Sequence, residues 1–297
     1  MKNLRSYLVY FLVCAGMVMF NSCSEKLVDP EVVIENSLDL PFEVSVENGV
    51  LNFETKTDYE LALNYLVELE LKGELDQFEN SLVFESYRTA FKNNKEKMDA
   101  IQDDVLASFL NPQQQVVIEN KLFEVSLTED RVSVWEYQGC ELKSVSYEIL
   151  IGQFKCDDDI FEKLEGVPSL KSSDYCEGNH EGFNVPITYG NNYHNVFEVD
   201  VDYIKAGLYY TLNARIRQSG DNQTKIGLRT DNCSYTKKDG SNYTYSKDES
   251  GFDWERNFRP YWGLQRLKAY TFEVDFYYFW NLNTEYSIAT VNNQCQY

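Results

Sequence analysis

Tyr270-Thr271-Phe272-Glu273-Val274-Asp275-Phe276-Tyr277-Tyr278-Phe279-Trp280 is the stretch that decides the fold class. Successive side chains of an extended chain point to opposite sides. Tyr270, Phe272, Val274, Phe276, Tyr278 and Trp280 therefore share one face, and Glu273 and Asp275 take part of the other. The same alternation runs through Phe197, Val199, Val201 and Tyr203. It resumes after Ala206-Gly207 in Leu208, Tyr210, Leu212, Ala214 and Ile216. Period-2 runs separated by polar loops predict an antiparallel, β-sandwich-like domain over residues 185–297.

Upstream the pattern changes. Val44, Val46, Leu51 and Phe53 alternate around Glu47-Asn48-Gly49, a hairpin signal. Thr57-Asp58-Tyr59-Glu60 reads as a capping box with Thr57 as the cap, and Gly73 as the stop of that helix. Leu75, Phe78, Leu82 and Phe91 suggest a second helical stretch. Met98, Ile101, Val105, Leu106 and Phe109 suggest a third, ended by Asn111-Pro112. Three short strands follow over 116–119, 122–127 and 132–137. The expected organisation is α+β: a small α+β domain over 43–138, a cysteine-containing connector over 139–184, and the β-rich domain over 185–297.

The chain has 297 residues, enough for one large or two ordinary domains, and its 22 Tyr and 18 Phe against 6 Pro mark it as folded. With 48 Asp+Glu against 27 Lys+Arg the net charge is −21, which argues against nucleic acid and anionic lipid headgroups as partners.

Residues 1–22 read as a secretion signal. Lys2 and Arg5 precede an apolar run from Tyr7 to Phe20, which is too short to span a bilayer. The run ends in Phe20-Asn21-Ser22-Cys23. A small residue directly before Cys at that place resembles a bacterial lipobox, in which the Cys is acylated and becomes the new N-terminus. Two or three acyl chains, at about 0.8 kcal/mol per buried CH₂, would anchor the protein durably. Residues 23–42, acidic and with Pro30 and Pro41, read as a tether.

Several segments carry a wider resemblance. Gly49-Val50-Leu51-Asn52-Phe53 leads into Asp58-Tyr59-Glu60, and Phe109-Leu110-Asn111-Pro112 precedes Val117-Ile118-Glu119-Asn120-Lys121-Leu122-Phe123-Glu124-Val125. Behind a lipobox, this order resembles uncharacterised lipoproteins of Bacteroides-type bacteria. The resemblance covers mainly residues 1–135. It implies a lipid-anchored protein of the bacterial outer membrane with a β-rich C-terminal domain, and it carries no catalytic motif. Ser24-Glu25-Lys26-Leu27-Val28-Asp29 departs from the acidic export tag of that group, which leaves the periplasmic and cell-surface faces both open.

Besides Cys14 and Cys23 the cysteines are Cys140, Cys156, Cys176, Cys233 and Cys295. Export makes disulfides the default for these five. The expected pairing joins Cys233 to Cys295 and two of the other three to each other, with one thiol left over; the rival is that Cys295 stays free or pairs with one of Cys140, Cys156 and Cys176. No C-x₂-C spacing suggests zinc, and no metal or cofactor is expected. Cys176 beside His180 or His194 could form a thiol–imidazole pair, but a disulfide-bonded Cys near two loop histidines is the favoured reading. Asp157-Asp158-Asp159 lacks the spacing of a Ca²⁺ loop and reads as a solvated charge run.

The segment Asp253–Trp262 is the candidate ligand-binding site. It sets Trp254, Phe258, Tyr261 and Trp262 among Arg256 and Arg259, a mixture that suits a glycan or protein ligand if the rings are exposed. If they are buried, they plug one end of the core. The leading function is a lipid-anchored binding or adhesion module, the second a structural envelope component, and the third a glycan-active enzyme. Cys23→Ala is expected to move the protein from the detergent phase to the aqueous phase in a phase-partition experiment. Unchanged partitioning would remove the lipid anchor.

Overall fold

The computed structural model describes residues 40–137, 149–167, 175–189, 193–221, 223–280 and 284–296. The signal, Cys23, most of the tether and Cys140 lie outside the described residues.

The α+β part is built on a six-stranded sheet of β1 (Ser45–Glu47), β2 (Val50–Phe53), β3 (Gln115–Ile118), β4 (Lys121–Ser126), β5 (Arg131–Glu136) and β6 (Leu150–Phe154), in that spatial order. Asn48 and Gly49 both take positive φ, which turns β1 back onto β2 as the sequence predicts. β2 and β3 run parallel, so the chain between them must cross over, and it does so through helices.

The first, α1 (Lys56–Lys72), is capped two residues earlier than expected. Thr55, not Thr57, accepts the Asp58 N–H at 3.0 Å, and Asp58 accepts the Thr55 hydroxyl and the Glu43 N–H in return. Gly73 stops the helix in the left-handed region, donating to Glu70 O. Four short helices follow: α2 (Leu75–Ser81), α3 (Tyr87–Phe91), α4 (Lys95–Ile101) and α5 (Asp104–Phe109). The single helix expected over Met98–Phe109 is broken because Gln102 takes φ +60° and Asp103 caps α5 by accepting the Leu106 N–H at 2.7 Å. The helices bury Tyr59, Leu63, Leu66, Phe78, Leu106 and Phe109 against Phe53, Phe123 and Val134 of the sheet. A sixth helix, α6 (Ile160–Leu164), adds Ile160 and Phe161 to this core.

The C-terminal part holds two four-stranded antiparallel sheets. One is ordered β12-β9-β8-β7, from β7 (Asn179–Tyr189), β8 (Tyr193–Lys205), β9 (Tyr210–Gly220) and β12 (Glu255–Gly263). The other is β11-β10-β13-β14, from β10 (Lys225–Lys237), β11 (Asn242–Gly251), β13 (Leu267–Trp280) and β14 (Thr284–Cys295). Phe197, Val199 and Val201 of the first sheet share one core with Phe272, Val274 and Phe276 of the second, on the faces the alternation assigns. The α+β core also takes in Ala206, Leu208 and Tyr209, so the helical layer and the β8–β9 corner are packed together.

The cysteines depart from expectation. Cys176 is bonded to Cys295, with Cα atoms 5.8 Å apart. Cys233 is a buried free thiol, as is Cys156, and burial pushes both up to about 12. Thr230-Asp231-Asn232 has the composition of a loop, but β10 continues through it to Cys233 past a bulge at Asp231-Asn232. There it faces Phe272 of β13, while Cys295 faces Tyr270 from the other side of β13. Two inter-strand spacings of about 4.8 Å exceed the ~7 Å reach of a disulfide. For a bridge spanning 119 residues, loop-closure entropy gives a ceiling of about 5 kcal/mol. Replacing both Cys176 and Cys295 by Ala is expected to lower the unfolding free energy by up to that amount in a guanidinium titration. The Cys233→Ala change, which breaks no bridge, is expected to cost far less.

Candidate functional site

The segment singled out in the sequence does not form one exposed surface. Phe258 and Tyr261 are buried in the inter-sheet core, against Phe272 and Tyr235 respectively. Tyr261 also donates its hydroxyl to Gln265 O. Trp262 is partly buried on the helical core and donates Nε1–H to Asn64 Oδ1 at 2.9 Å. Arg256 pairs with Asp253 at 2.6 Å. Only Trp254, 50% exposed, stands clear. Most of the run is strand β12 rather than loop. A register shift at Arg259-Pro260 lets Phe258 and Tyr261 both enter the core.

The same shift turns Arg259 toward the helices. It is 2% exposed and is bonded through every guanidinium nitrogen. Nη1 donates to Asp103 Oδ2 at 2.5 Å, Tyr209 Oη at 2.9 Å and Thr211 Oγ1 at 3.2 Å, while Nε and Nη2 clasp the Glu70 carboxylate. Burial opposes the charge of Arg259, but Asp103 and Glu70 more than offset it and hold the guanidinium above its ordinary value. Burial raises Glu70 to about 7 even beside Arg259. One guanidinium thus serves two carboxylates that approach from α1 and from the α4–α5 junction.

Above this clamp lies a polar groove between the helices and the outer face of the β12-β9-β8-β7 sheet. It consists of two hollows, of about 390 and about 230 Å³, that both have Asp104 in their walls. The larger is bounded by the α1–α2 corner and by Asp253, Glu255 and Arg256. The smaller is bounded by Lys95, Asp103, His180, Glu198, Asp200 and Arg215. Arg217 in the wall of the smaller hollow is ion-paired at 2.7 Å with Glu255 in the wall of the larger.

The floor follows from strand pairing. Glu198, Asp200 and Asp202 alternate along β8 with the core residues Phe197, Val199 and Val201, so all three carboxylates face outward. Register sets Asp200 opposite Arg215 and Glu198 opposite Arg217. Arg215 bonds Asp200 Oδ2 at 3.1 Å, and Lys95 of α4 reaches Glu198 at 3.1 Å. Across β7, His180 Nδ1 bonds Asp202 Oδ1. That bond raises the proton affinity of His180, whose side chain is half-exposed, and burial raises Asp202, which is 2% exposed. Gly182 keeps this packing open, because a Cβ there would collide with Asp200 Oδ1 and His180.

His180 is thus paired with a carboxylate and Cys176 with Cys295, so neither enters a thiol–imidazole pair with the other. His194 Nδ1 meets Thr188 Oγ1. Asp157-Asp158-Asp159 is not a solvated run: Asp159 is 8% exposed and pairs with Lys238, Asp158 with Lys163, and Asp157 with Lys205. Among the described residues, no group of three or more His, Cys, Asp or Glu is arranged to hold a metal ion.

Sequence reading missed Asp103, Asp104, Asp200, Asp202, Arg215 and the helix-facing role of Arg259. A signal for part of this existed. Alternating acids in Glu198-Val199-Asp200-Val201-Asp202 face alternating bases in Arg215-Ile216-Arg217 once the two strands are paired.

No protein-family model matches the chain, and no curated protein or solved structure matches it.

Removing Arg259 leaves Glu70 and Asp103 buried without their cation. Arg259→Ala is expected to cost about 3–5 kcal/mol in chemical denaturation, the usual scale for half of a buried pair. The additional change Glu70→Gln is expected to recover part of that loss.

Proposed function

We propose that this chain is a lipid-anchored envelope protein of the bacterial outer membrane. It acts as a binding or adhesion module, with the groove above Arg259 as its ligand site. On this reading the two four-stranded sheets form a β-sandwich-like platform, and the helical layer is fastened to it as the second wall of the groove. The signal segment with its lipobox-like Cys23 supports the address, and the Cys176–Cys295 bridge suits an oxidising compartment. The resemblance to Bacteroides-type lipoproteins points the same way.

The observation that carries the binding reading is the groove itself. Its walls present carboxylates and guanidinium groups already fixed by ion pairs, so they can offer acceptors and donors without reorganising. Hydroxyl-rich ligands match such a surface, because each sugar hydroxyl both donates and accepts. Trp254 lines neither hollow, but it is exposed and lies in the chain between Asp253 and Glu255, which do line one, and it offers an aromatic face of the kind on which sugar rings stack. A glycan is therefore the favoured ligand class. A structural envelope role is the second reading, favoured by the burial of Phe258 and Tyr261.

Affinity electrophoresis of the soluble domain through gels containing bacterial and host polysaccharides tests the reading. At least one polysaccharide is expected to retard the wild-type domain. Trp254→Ala and Glu255→Gln are each expected to weaken that retardation about tenfold, on the scale of one lost stacking or charged hydrogen-bond contact. A domain that no polysaccharide retards would favour the structural role.

A further inference from the structure

We propose that Phe252 and Trp254, on the turn between β11 and β12, form a stacking site for a neutral glycan. The inference rests on the glycan reading, adds Phe252 to its contacts and narrows the ligand to uncharged sugars.

The turn crosses from one C-terminal sheet to the other, and residues 252–254 are all that joins β11 to β12. Phe252 is 54% exposed and Trp254 50%, which makes them the two most exposed aromatic side chains among the described residues. Neither lines a hollow of the groove. Exposed turns ordinarily carry small or polar residues. Two large rings two positions apart leave apolar surface in water where the fold has no use for it, and such surface marks a place of contact.

The turn is not loose. Its three successive carbonyls are all held from the end of β9 and the turn behind it. Gln223 Nε2 donates to Phe252 O at 3.1 Å, Gln218 Nε2 to Asp253 O, and the Gln218 N–H to Trp254 O at 2.8 Å. Gln218 is itself buried and is fixed by Thr224, whose N–H and hydroxyl both donate to Gln218 Oε1 at 3.0 Å. Asp253 pairs with Arg256 across the turn, and Gly251 leaves room for them, because a Cβ there would collide with both side chains. The rings therefore stand on backbone that is ordered before a ligand arrives, and stacking on them costs little further entropy.

The surroundings choose the ligand. A sugar ring has a face of C–H groups that stacks and a rim of hydroxyls that need partners. Asp253 and Glu255 flank Trp254 in the chain with their carboxylates partly exposed, and the exposed Gln223 is bonded to the Phe252 backbone. Acceptors and an amide thus accompany the rings. The same carboxylates, together with the net charge of −21, repel an acidic sugar. They also disfavour a bilayer, because sinking the rings to the acyl boundary would carry Asp253 and Glu255 in with them.

Affinity electrophoresis of the soluble domain through galactomannan, xyloglucan or amylopectin, each beside its C6-carboxylate derivative, tests the inference at low salt. At least one neutral polymer is expected to retard the domain, and its carboxylated form to bind about tenfold more weakly. Phe252→Ala is expected to weaken binding of the neutral polymer about tenfold, as Trp254→Ala does. Phe252→Tyr is expected to restore most of that loss relative to Phe252→Ala, which separates loss of the ring from loss of the fold. A Phe252→Ala variant retarded as strongly as wild type, or a carboxylated form that binds as well as its neutral parent, overturns the inference and leaves the glycan reading standing. So does a wild-type domain that other polysaccharides retard but none of these three. If no polysaccharide retards it, both fall. Flotation with phosphatidylcholine vesicles that Phe252→Ala abolishes would make the turn a membrane contact and overturn the sugar site.

Discussion

The guanidinium of Arg259 is the contact on which the rest of the arrangement depends. It reaches out of β12, on the outer side of a sheet whose inner face carries the inter-sheet core, and binds carboxylates from two separate points of the helical layer. Apolar packing alone can let a helix slide or rotate on a sheet, since dispersion and area burial are weakly directional. A planar fork engaged at all of its nitrogens cannot slide. Such a buried triad adds little net stability over a well-packed apolar substitute, yet losing one member is costly. Its value here is positional: it ties the α4–α5 corner, whose Asp103 and Asp104 line the smaller hollow, to the sheet.

Much of the fold could be read from the sequence, and the reason is periodicity. The alternation in Tyr270–Trp280 and Phe197–Tyr203 reports burial on one face, which is a local property of extended chain. The hairpin at Asn48-Gly49 and the strands around Asn120-Lys121 and Thr128–Asp130 were equally visible, because turn residues mark them. The errors are those of long-range geometry. The Met98–Phe109 periodicity continues across Gln102 although the helix does not, since two successive short helices can keep one apolar face. The sequence points to Thr57 as the cap, but Thr55 takes that place by accepting the Asp58 N–H, while Asp58 also accepts the Glu43 N–H from outside the helix. Cys233 was misplaced because Thr230-Asp231-Asn232 has loop composition but forms a bulge inside a strand.

The candidate site was much less legible. Aromatic residues between charges in Asp253–Trp262 drew attention to a real feature, but to the wrong side of it. Alternation broken by one bulge decides which residues face the core, and a bulge has no sequence signature here. The groove itself depends on pairing between β8 and β9 and on a helix corner about a hundred residues upstream. No window of sequence contains both. What the sequence did carry, alternating acids on one strand and bases on another, becomes meaningful only when the register is known.

The Cys176–Cys295 bridge bears on the order of events during biogenesis. All eight strands of the two C-terminal sheets lie within the stretch that it encloses. The last of them, β14, pairs only with β13 in its own sheet, and it carries the second cysteine at its end. A chain made from its N-terminus therefore delivers the two thiols at separated times, with Cys176 emerging 119 residues before its partner. Oxidation can seal the circle only after β14 has arrived and docked. The bond then acts as a latch thrown after assembly, and a chain that lacks β14 is left with Cys176 unpaired.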